Sequence, residues 1–304
     1  MSEKLKTPAP EGEKNLEKLL NLRESYDNQI KLLNQTGILT ILPETMSLGI
    51  VGIDGKEHPV PTYEEIEERL KSRKEELEVK MKQGFTKLLL VPMAMPLDTL
   101  VEKLKQRLVA HKKDGKLFTT DEKPVELDIE NPMWVWDEYT GADKDGKLVY
   151  YPKTFDKNSH KGKTKKELID EGSPWRISLV EDLPDLPAEN SGKSIGGRKQ
   201  LEANKTAIDY LKMLQTEKLY QQEDGFTPEE WLTYFLNQIE AKNQIIDNYQ
   251  SKGKVSFLTG AFFPSQGLLP CGFFNLAGRR AGLDGDHPTS AYSDYATRSS
   301  VGVW

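Results

Sequence analysis

Hydrophobic residues recur at helical spacing in several parts of the chain and predict a series of amphipathic helices. The first predicted helix ends near Gly37, and its apolar stripe consists of Leu16, Leu19, Leu20, Tyr26, Ile30 and Leu33. Further helices are expected from Thr62, which can form a capping box with Glu65, to about Gly84, over residues 97–111 and over residues 205–214. Another is expected to begin after Thr227, with Pro228 at its first position and Glu230 completing a capping box.

Shorter apolar runs lie between these helices and predict strands. The strands are expected over residues 38–53, 85–91, 175–180 and 255–263. The turn signal Asp145-Gly146 lies between two aromatic runs, 134–136 and 148–151, and predicts a β-hairpin. Helices and strands do not alternate regularly and long loops separate them, so the pattern indicates an α+β fold.

The C-terminal stretch of the chain has an unusual composition. Residues 267–303 contain no Lys, Glu, Gln, Met or Trp, although the preceding chain is rich in Lys and Glu. Tyr, Ser, Gly, Asn and Arg, which this stretch contains, are typical of recognition surfaces. The alternative is an irregular C-terminal loop region that ends in a strand, because Gly and Ser also mark ordinary loops.

Charge and composition argue against several protein classes. The 304 residues carry a net charge of -6, which disfavours nucleic-acid binding. We see no secretory signal and no apolar run of 18 residues, so we expect no membrane insertion and a cytoplasmic or virion-associated protein. Cys271 is the only cysteine, so neither an intrachain disulfide nor a multi-thiolate metal site can form.

Candidate catalytic and metal-binding residues are few. Asp284, Asp286 and Asp294 partly imitate a calcium loop, but the terminal bidentate Glu of such a loop is missing. Cys271 precedes an apolar pair, so a buried inert thiol is favoured over a nucleophile. Trp134, Trp136, Trp175 and Trp231 are most simply core residues. We therefore expect no catalytic residue, no bound metal and no cofactor.

Three segments resemble a known family. They are GGRKQLEANKTAIDYLKMLQ, GFTPEEWLTYFLNQIEAKNQIIDNYQ and the ending GAFFPSQGLLPCGFFNLAGRRAGLDGDHPTSAYSDYATRSSVGV. Together they resemble the variable proteins of diversity-generating retroelements, in the group found in candidate-phylum bacteria and small-genome archaea. The likeness is clearest from about Trp175 to the end. It implies a C-type lectin-like domain, of the kind related to formylglycine-generating enzymes, over residues 38–304. A disordered tail and the amphipathic helix would occupy residues 1–37.

The resemblance also implies which residues vary. Template AAC and AAT codons randomised at their adenines cannot encode the five residue types missing from the hypervariable region 267–303. Carried over by motif, the variable ligand-binding residues are Phe274, Asn275, Leu276, Ala277, Gly278, Asp284, Gly285, Asp286, His287, Thr289, Ser290, Tyr292, Ser293 and Tyr295. The framework would be residues 279–283, Pro288, Asp294 and the last strand, which begins with Arg298-Ser299-Ser300-Val301. Gly302 departs from the pattern, because relatives often have Arg there.

The function implied by the resemblance is ligand binding without catalysis. We expect a protein partner, because the residue types resemble those of a paratope. The N-terminal helix can pack on the main body or pair with another copy of the chain. The alternatives are a phage or virion adhesin or structural protein, and an enzyme of the formylglycine-generating fold, which one cysteine counts against because that chemistry needs a cysteine pair.

Overall fold

A computed structural model describes residues 21–249 and 253–303 of the chain. The predicted N-terminal tail and the apolar residues Leu16, Leu19 and Leu20 lie outside the described residues. The described helices are α1 (Leu22–Gln35), α2 (Tyr63–Ser72), α3 (Lys74–Lys82), α4 (Leu97–Lys113), α5 (Lys165–Asp170), α6 (Ala207–Thr216) and α7 (Pro228–Lys242). Short 3₁₀ turns lie at Asp137–Tyr139 and Lys218–Tyr220.

The strands are mostly short. They are β1 (Thr40–Ile41), β2 (Leu48–Val51), β3 (Glu57–Pro59), β4 (Phe85–Val91), β5 (Met133–Val135), β6 (Val149–Tyr150), β7 (Lys163–Thr164), β8 (Arg176–Glu181), β9 (Ser194–Ile195), β10 (Arg198–Lys199), β11 (Glu223–Gly225), β12 (Asn248–Tyr249), β13 (Val255–Phe257), β14 (Ala261–Phe262), β15 (Leu269–Asn275), β16 (Arg280–Asp286), β17 (Tyr295–Thr297) and β18 (Ser299–Gly302). The mixture of helices and several sheets confirms the predicted α+β class.

Two sheets determine where the C-terminal stretch lies. One has the strand order β17-β13-β15-β16-β5, and β12 also pairs with β15. The other has the order β11-β18-β8-β4. The chain leaves the first sheet at Thr297 and enters the second at Ser299, so both sheets are joined through one residue, Arg298. Three smaller sheets have the orders β1-β2-β3, β14-β6-β7 and β10-β9.

Helix α7 lies at the centre of the main core. Its residues from Pro228 to Ile239 are all buried. Thr227 caps the helix through a capping box with Glu230, as the sequence predicted, and Pro228 occupies its first turn. A helix buried on every side needs its terminal N–H groups satisfied by protein, because water cannot reach them.

Helix α1 packs on the main body. Leu22 and Leu33 are buried in the main core, and the side chain of Asn237 in α7 donates a 3.0 Å hydrogen bond to Gln29 in α1. Of the two expected arrangements for this helix, the described part of the chain therefore shows packing on the body.

Several predicted elements have different boundaries or partners. The helix expected from Thr62 to Gly84 has its predicted capping box but is interrupted at Arg73, which separates α2 from α3. The prediction of a hairpin around Asp145-Gly146 is wrong. Strand β5 pairs in parallel with β16, and β6 pairs with β7 and β14. Turn residues predict a reversal of the chain, but they do not determine which strand will be the partner.

The strand expected over residues 255–263 is divided into β13 and β14 by a turn near Gly260. Gly260 lies against the backbone of Phe226, where a Cβ atom would be 2.9 Å from the Phe226 carbonyl carbon and oxygen. Within the described ranges, no helix is both long and apolar enough to cross a bilayer.

Candidate functional site

Strands β15 and β16 form a seven-residue antiparallel hairpin at the start of the predicted hypervariable region. The pairing runs from Leu269 opposite Asp286 to Asn275 opposite Arg280. Residues directly opposite each other in such a pair project to the same side of the sheet, and side chains alternate along each strand. The hairpin therefore has one face toward the main core and one face away from it.

The inward face is closely packed. Phe274 and Leu283 are completely buried in the main core. Gly272 lies under the ring of Trp231, where a Cβ atom would come within 2.5 Å of the indole. Gly285 lies in the same way against Trp136, again at 2.5 Å. No side chain fits at either glycine without moving a large aromatic ring.

Two predicted ligand-contacting residues lie on the inward side of the hairpin. Phe274 is fully buried, so its side chain cannot contact a ligand at the surface and the prediction for this residue is wrong. Gly285 has the same parity in its strand as Leu283; it is partly accessible, but a side chain added there would meet the Trp136 ring. The two-residue alternation of a strand places both positions on this side.

The outward face of β15 and β16 is defined by the alternate residues, which are Leu269, Cys271, Phe273, Asn275, Arg280, Gly282, Asp284 and Asp286. Leu269 and Cys271 are buried in a second apolar cluster that includes Tyr210 and Leu214 of α6. Gly282 is buried as well, whereas Phe273, Asn275, Arg280 and both aspartates are partly accessible.

Aromatic side chains border the outward face. Tyr249 contacts Phe273 with a 5.9 Å centroid separation, and Tyr292 contacts Tyr295 at 4.8 Å. Trp134 pairs with Gly282 and therefore lies on the same face. Trp134 is 37% exposed and Tyr292 is 45% exposed, so Trp134 is not the core residue that the sequence predicted. Exposed aromatic rings provide large apolar contacts at low cost in side-chain entropy.

The remaining predicted residues lie at the two ends of the hairpin. Leu276, Ala277 and Gly278 form the turn between the strands, and Asn275 accepts a 2.8 Å hydrogen bond from the backbone N–H of Gly278. The loop after β16 carries His287, Thr289, Ser290, Tyr292 and Ser293. The ends of a seven-residue strand are roughly 20 Å apart, so these residues do not converge on one pocket but span an elongated surface.

The loop after β16 is held in place by a few contacts. Pro288 is buried, and its carbonyl accepts a hydrogen bond from the N–H of Ile208 in α6 at 3.2 Å. Asp286 Oδ1 accepts hydrogen bonds from His287 N–H at 2.6 Å and from the Ser290 hydroxyl at 3.1 Å. The loop is thus anchored at Pro288 while most of its side chains remain accessible.

The outward face carries two carboxylates, Asp284 and Asp286, and one guanidinium, Arg280. Burial, together with the nearby charge of Asp286, raises the pKa of Asp284. Neither aspartate forms an ion pair with any residue in 21–249 or 253–303. Over the same residues, no group of three or more His, Cys, Asp or Glu side chains has the geometry of a metal site.

The thiol of Cys271, which is on the outward side of the hairpin, is buried in the second apolar cluster. Its burial raises the pKa of Cys271 well above its usual range, and the nearby charges of Asp284 and Asp286 add to the effect. A thiol that stays protonated is a poor nucleophile, which agrees with the inert role predicted for it.

The support of the site includes a buried ion pair that the sequence did not reveal. Arg298 donates hydrogen bonds to both carboxylate oxygens of Asp247, including a 3.2 Å bond from Nε. Its guanidinium also donates to the carbonyls of Leu183 and Pro184, the latter at 2.6 Å. Asp247 accepts a further 2.8 Å bond from the Trp231 indole.

This ion pair connects the two sheets to α7. Arg298 lies between β17 and β18, Trp231 lies in α7 beneath the hairpin, and Asp247 immediately precedes β12. Burial raises the pKa of Asp247 to about 6, although Arg298 and Trp231 both favour the ionised carboxylate. Arg298 was expected only as the first residue of the final strand motif; its partners are more than 50 residues away in sequence, so no local pattern could identify them.

Comparison of the chain with models of protein families, with curated proteins and with solved structures finds no match.

Proposed function

We propose that the protein binds a protein ligand through the outward face of β15 and β16 and the adjoining loop residues 287–293. The observation that supports this is the division of the hairpin into two faces. The inward residues Gly272 and Gly285 lie against Trp231 and Trp136. Phe273, Asn275, Asp284 and Asp286 on the outward face are partly accessible and are bordered by Tyr249, Tyr292 and Trp134. A rigid support carrying accessible residues is what a recognition site requires.

The surface would act by contact alone. Aromatic rings would supply apolar area, while Asn275, Asp284 and Asp286 would supply polar selectivity. The two carboxylates have no cationic partner among the described residues, which favours a ligand that offers basic or hydrogen-bond-donating groups. No catalytic role is assigned to any residue of this face.

We further propose that a retroelement diversifies this face on a C-type lectin-like scaffold, as the sequence resemblance implies. The structure narrows the set of positions that could vary without loss of the fold. Accessible predicted positions are Asn275, Leu276, Ala277, Gly278, Asp284, Asp286, His287, Thr289, Ser290, Tyr292, Ser293 and Tyr295. Phe274 is removed from that set because it is buried, and Gly285 because a side chain there would meet the Trp136 ring.

The test is the genomic neighbourhood of the coding sequence. A near-identical template repeat and a reverse transcriptase gene are expected nearby, with mismatches confined to template adenines. The mismatches should fall at outward codons such as those of Asp284 and Asp286 and avoid those of Phe274 and Gly285. Absence of a repeat, or mismatches spread over inward codons, contradicts the proposal.

The binding capacity of the face can be tested separately with displayed libraries. One library randomises Asn275, Asp284, Asp286 and Tyr292, and a matched library randomises the inward residues Phe274, Leu283 and Gly285. We expect most members of the first library to remain folded and to yield binders to a defined target such as a small globular protein. Equal loss of folding in both libraries contradicts the assignment.

A further inference from the structure

A groove formed by elements other than β15 and β16 lies between helices α1 and α7 at the edge of the second sheet. Its volume is about 430 Å³, within the usual range of ~300–1,000 Å³ for ligand-binding pockets. The groove is lined by Gln29 and Leu32 of α1, by Leu88 of β4, and by Asn237, Gln238 and Ala241 of α7.

Two polar atoms in this groove lack partners. The side chains of Asn237 and Gln238 are only 7% and 6% exposed, and both line the groove. The amide nitrogen of Asn237 donates to Gln29 and that of Gln238 donates to Asp182 at 3.3 Å. Neither amide oxygen has a hydrogen-bond partner among the described residues. A buried acceptor without a donor is unfavourable, so these oxygens favour a donor from outside the chain.

The groove also reaches the edge strand of the second sheet, at Leu88, which is 3% exposed. Strand β4 is the last strand of its sheet and pairs only with β8. The carbonyl of Ile177 in β8 accepts a hydrogen bond from the N–H of Val303, so it points away from β4. Leu90 of β4 is opposite Ile177 and the two residues form no backbone hydrogen bonds with each other. Leu90 therefore points its backbone N–H away from β8, where it donates to Gln29 Oε1 at 3.3 Å.

Leu88 lies two residues before Leu90 and has the same orientation. In an antiparallel pair, alternate residues direct their N–H and C=O groups to opposite sides, so those of Leu88 point outward too. Leu88 lines the groove, and no hydrogen bond joins these two groups to another described residue. An unpaired donor and acceptor at a strand edge form a template for an added strand.

We propose that this groove binds a short extended peptide segment of a partner protein, which adds to the edge of β4 at Leu88. A peptide backbone offers N–H donors and C=O acceptors in alternation, which matches one donor and one acceptor at Leu88 together with two acceptor oxygens at Asn237 and Gln238. Lys87 and Lys242 both pair with Asp182 at the rim, at 3.7 and 2.9 Å, so the groove does not favour a strongly charged ligand.

The probe for the test is a phage-displayed library of linear heptapeptides, selected on the full chain. The blocking variant is Ala241→Trp, because Ala241 is exposed and lines the groove. Ala188→Trp, at another exposed alanine in a loop outside the groove, is the matched control. Enriched peptides are synthesised and their dissociation constants measured by fluorescence anisotropy.

We expect peptides that bind the parent chain and Ala188→Trp equally, within about twofold, but bind Ala241→Trp at least tenfold more weakly. N-methylation of the alternate peptide amides that face β4 should abolish binding, because methylated amides cannot donate hydrogen bonds to Leu88. Hydrogen exchange over β4 should slow when a peptide is bound.

Three results overturn the proposal. They are enrichment of no peptide, binding that is insensitive to Ala241→Trp, and binding that survives N-methylation of each of the two alternate sets of amides in turn. Because the hydrogen-exchange and N-methylation measurements use the parent chain, they decide the matter even when Ala241→Trp fails to fold. Peptides that bind only the outward face of β15 and β16 contradict this inference and leave the proposed function intact.

Discussion

Replacement of Arg298 by Met tests whether the buried ion pair holds the hairpin of β15 and β16 and its neighbouring strands on helix α7. Met matches the length of the side chain and provides no charge. The change leaves the Asp247 carboxylate buried with the Trp231 indole as its remaining side-chain donor, and it removes the donors to the carbonyls of Leu183 and Pro184. Removing one partner of a buried ion pair costs ~3–5 kcal/mol, because the other charge stays buried.

This cost is a large part of the total stability of a domain, which is typically ~5–15 kcal/mol. With a urea dependence of about 3 kcal/mol per molar, the unfolding midpoint should fall by roughly 1 M or more. Unfolding is followed by tryptophan fluorescence and circular dichroism. The control is Arg279→Met, at an exposed arginine of the same stretch, for which we expect a change within ~0.5 kcal/mol.

The double variant Arg298→Met/Asp247→Asn distinguishes an unpaired charge from lost packing. Asn keeps an acceptor for Trp231 but carries no charge, so the double variant should recover at least ~1 kcal/mol relative to Arg298→Met. A double variant no more stable than Arg298→Met, or an Arg298→Met cost below ~1 kcal/mol, would refute the reasoning.

The pH dependence of the Arg298→Met cost provides a second check. The folded-state pKa of Asp247, about 6, lies above its usual value of 3.8. The stability contributed by this group is therefore fully present below pH ~4 and is lost as the pH rises through about 6. Without Arg298 the pKa of Asp247 rises further, so the variant should lose more stability at pH 8 than at pH 5. An equal loss at both values contradicts the assigned role.

Three further predictions concern the hairpin and the ion pairs that join helices α4 and α7. Phe274→Ala should lower the free energy of unfolding by ~3–5 kcal/mol, whereas Asp284→Asn on the opposite face should leave it unchanged or slightly higher. Equal losses of the two variants in urea unfolding contradict the two-face arrangement. Gly285→Ala should cost ~1–3 kcal/mol because the added methyl meets the Trp136 ring, and a thermal midpoint unchanged by the substitution argues against that contact. Burial alone would raise the pKa of Glu240, but hydrogen bonds from His111 and Arg107 lower it, so Glu240→Gln should lower the free energy of unfolding by ~1–3 kcal/mol at pH 7. The stability that the Glu240 carboxylate contributes is present above its usual pKa of 4.5 and is lost as the pH falls through the folded-state pKa, so the difference between variant and parent in urea unfolding should disappear at acidic pH. A difference that persists at acidic pH contradicts the assigned pairing.

Local sequence signals predicted the elements whose causes are themselves local. Thr62 and Thr227 were recognised as helix caps because a capping box needs only four consecutive residues. The final strand was implied by the family resemblance at Arg298-Ser299-Ser300-Val301 rather than by a local signal, and a strand is observed at Ser299–Gly302. The α+β class followed from the order of these elements along the chain.

The sequence by itself also indicated that residues 267–303 differ from the rest of the chain, but it did not determine which of them are accessible. Phe274 was expected at the surface and Trp134 in the core, and the structure places them the other way round. Strand alternation limits neighbouring side chains to opposite faces, and only the packing of Trp231 and Trp136 against the hairpin decides which face is buried.

Long-range pairing was decided by tertiary structure alone. Strand β5 pairs with β16 instead of forming the predicted local hairpin, and Arg298 pairs with Asp247, which is more than 50 residues away in the sequence. Turn residues and single charges have many compatible partners in a chain that is 30% charged. The partner is selected by burial, because a buried strand edge or a buried charge must be paired, whereas the same groups at the surface can remain bound to water.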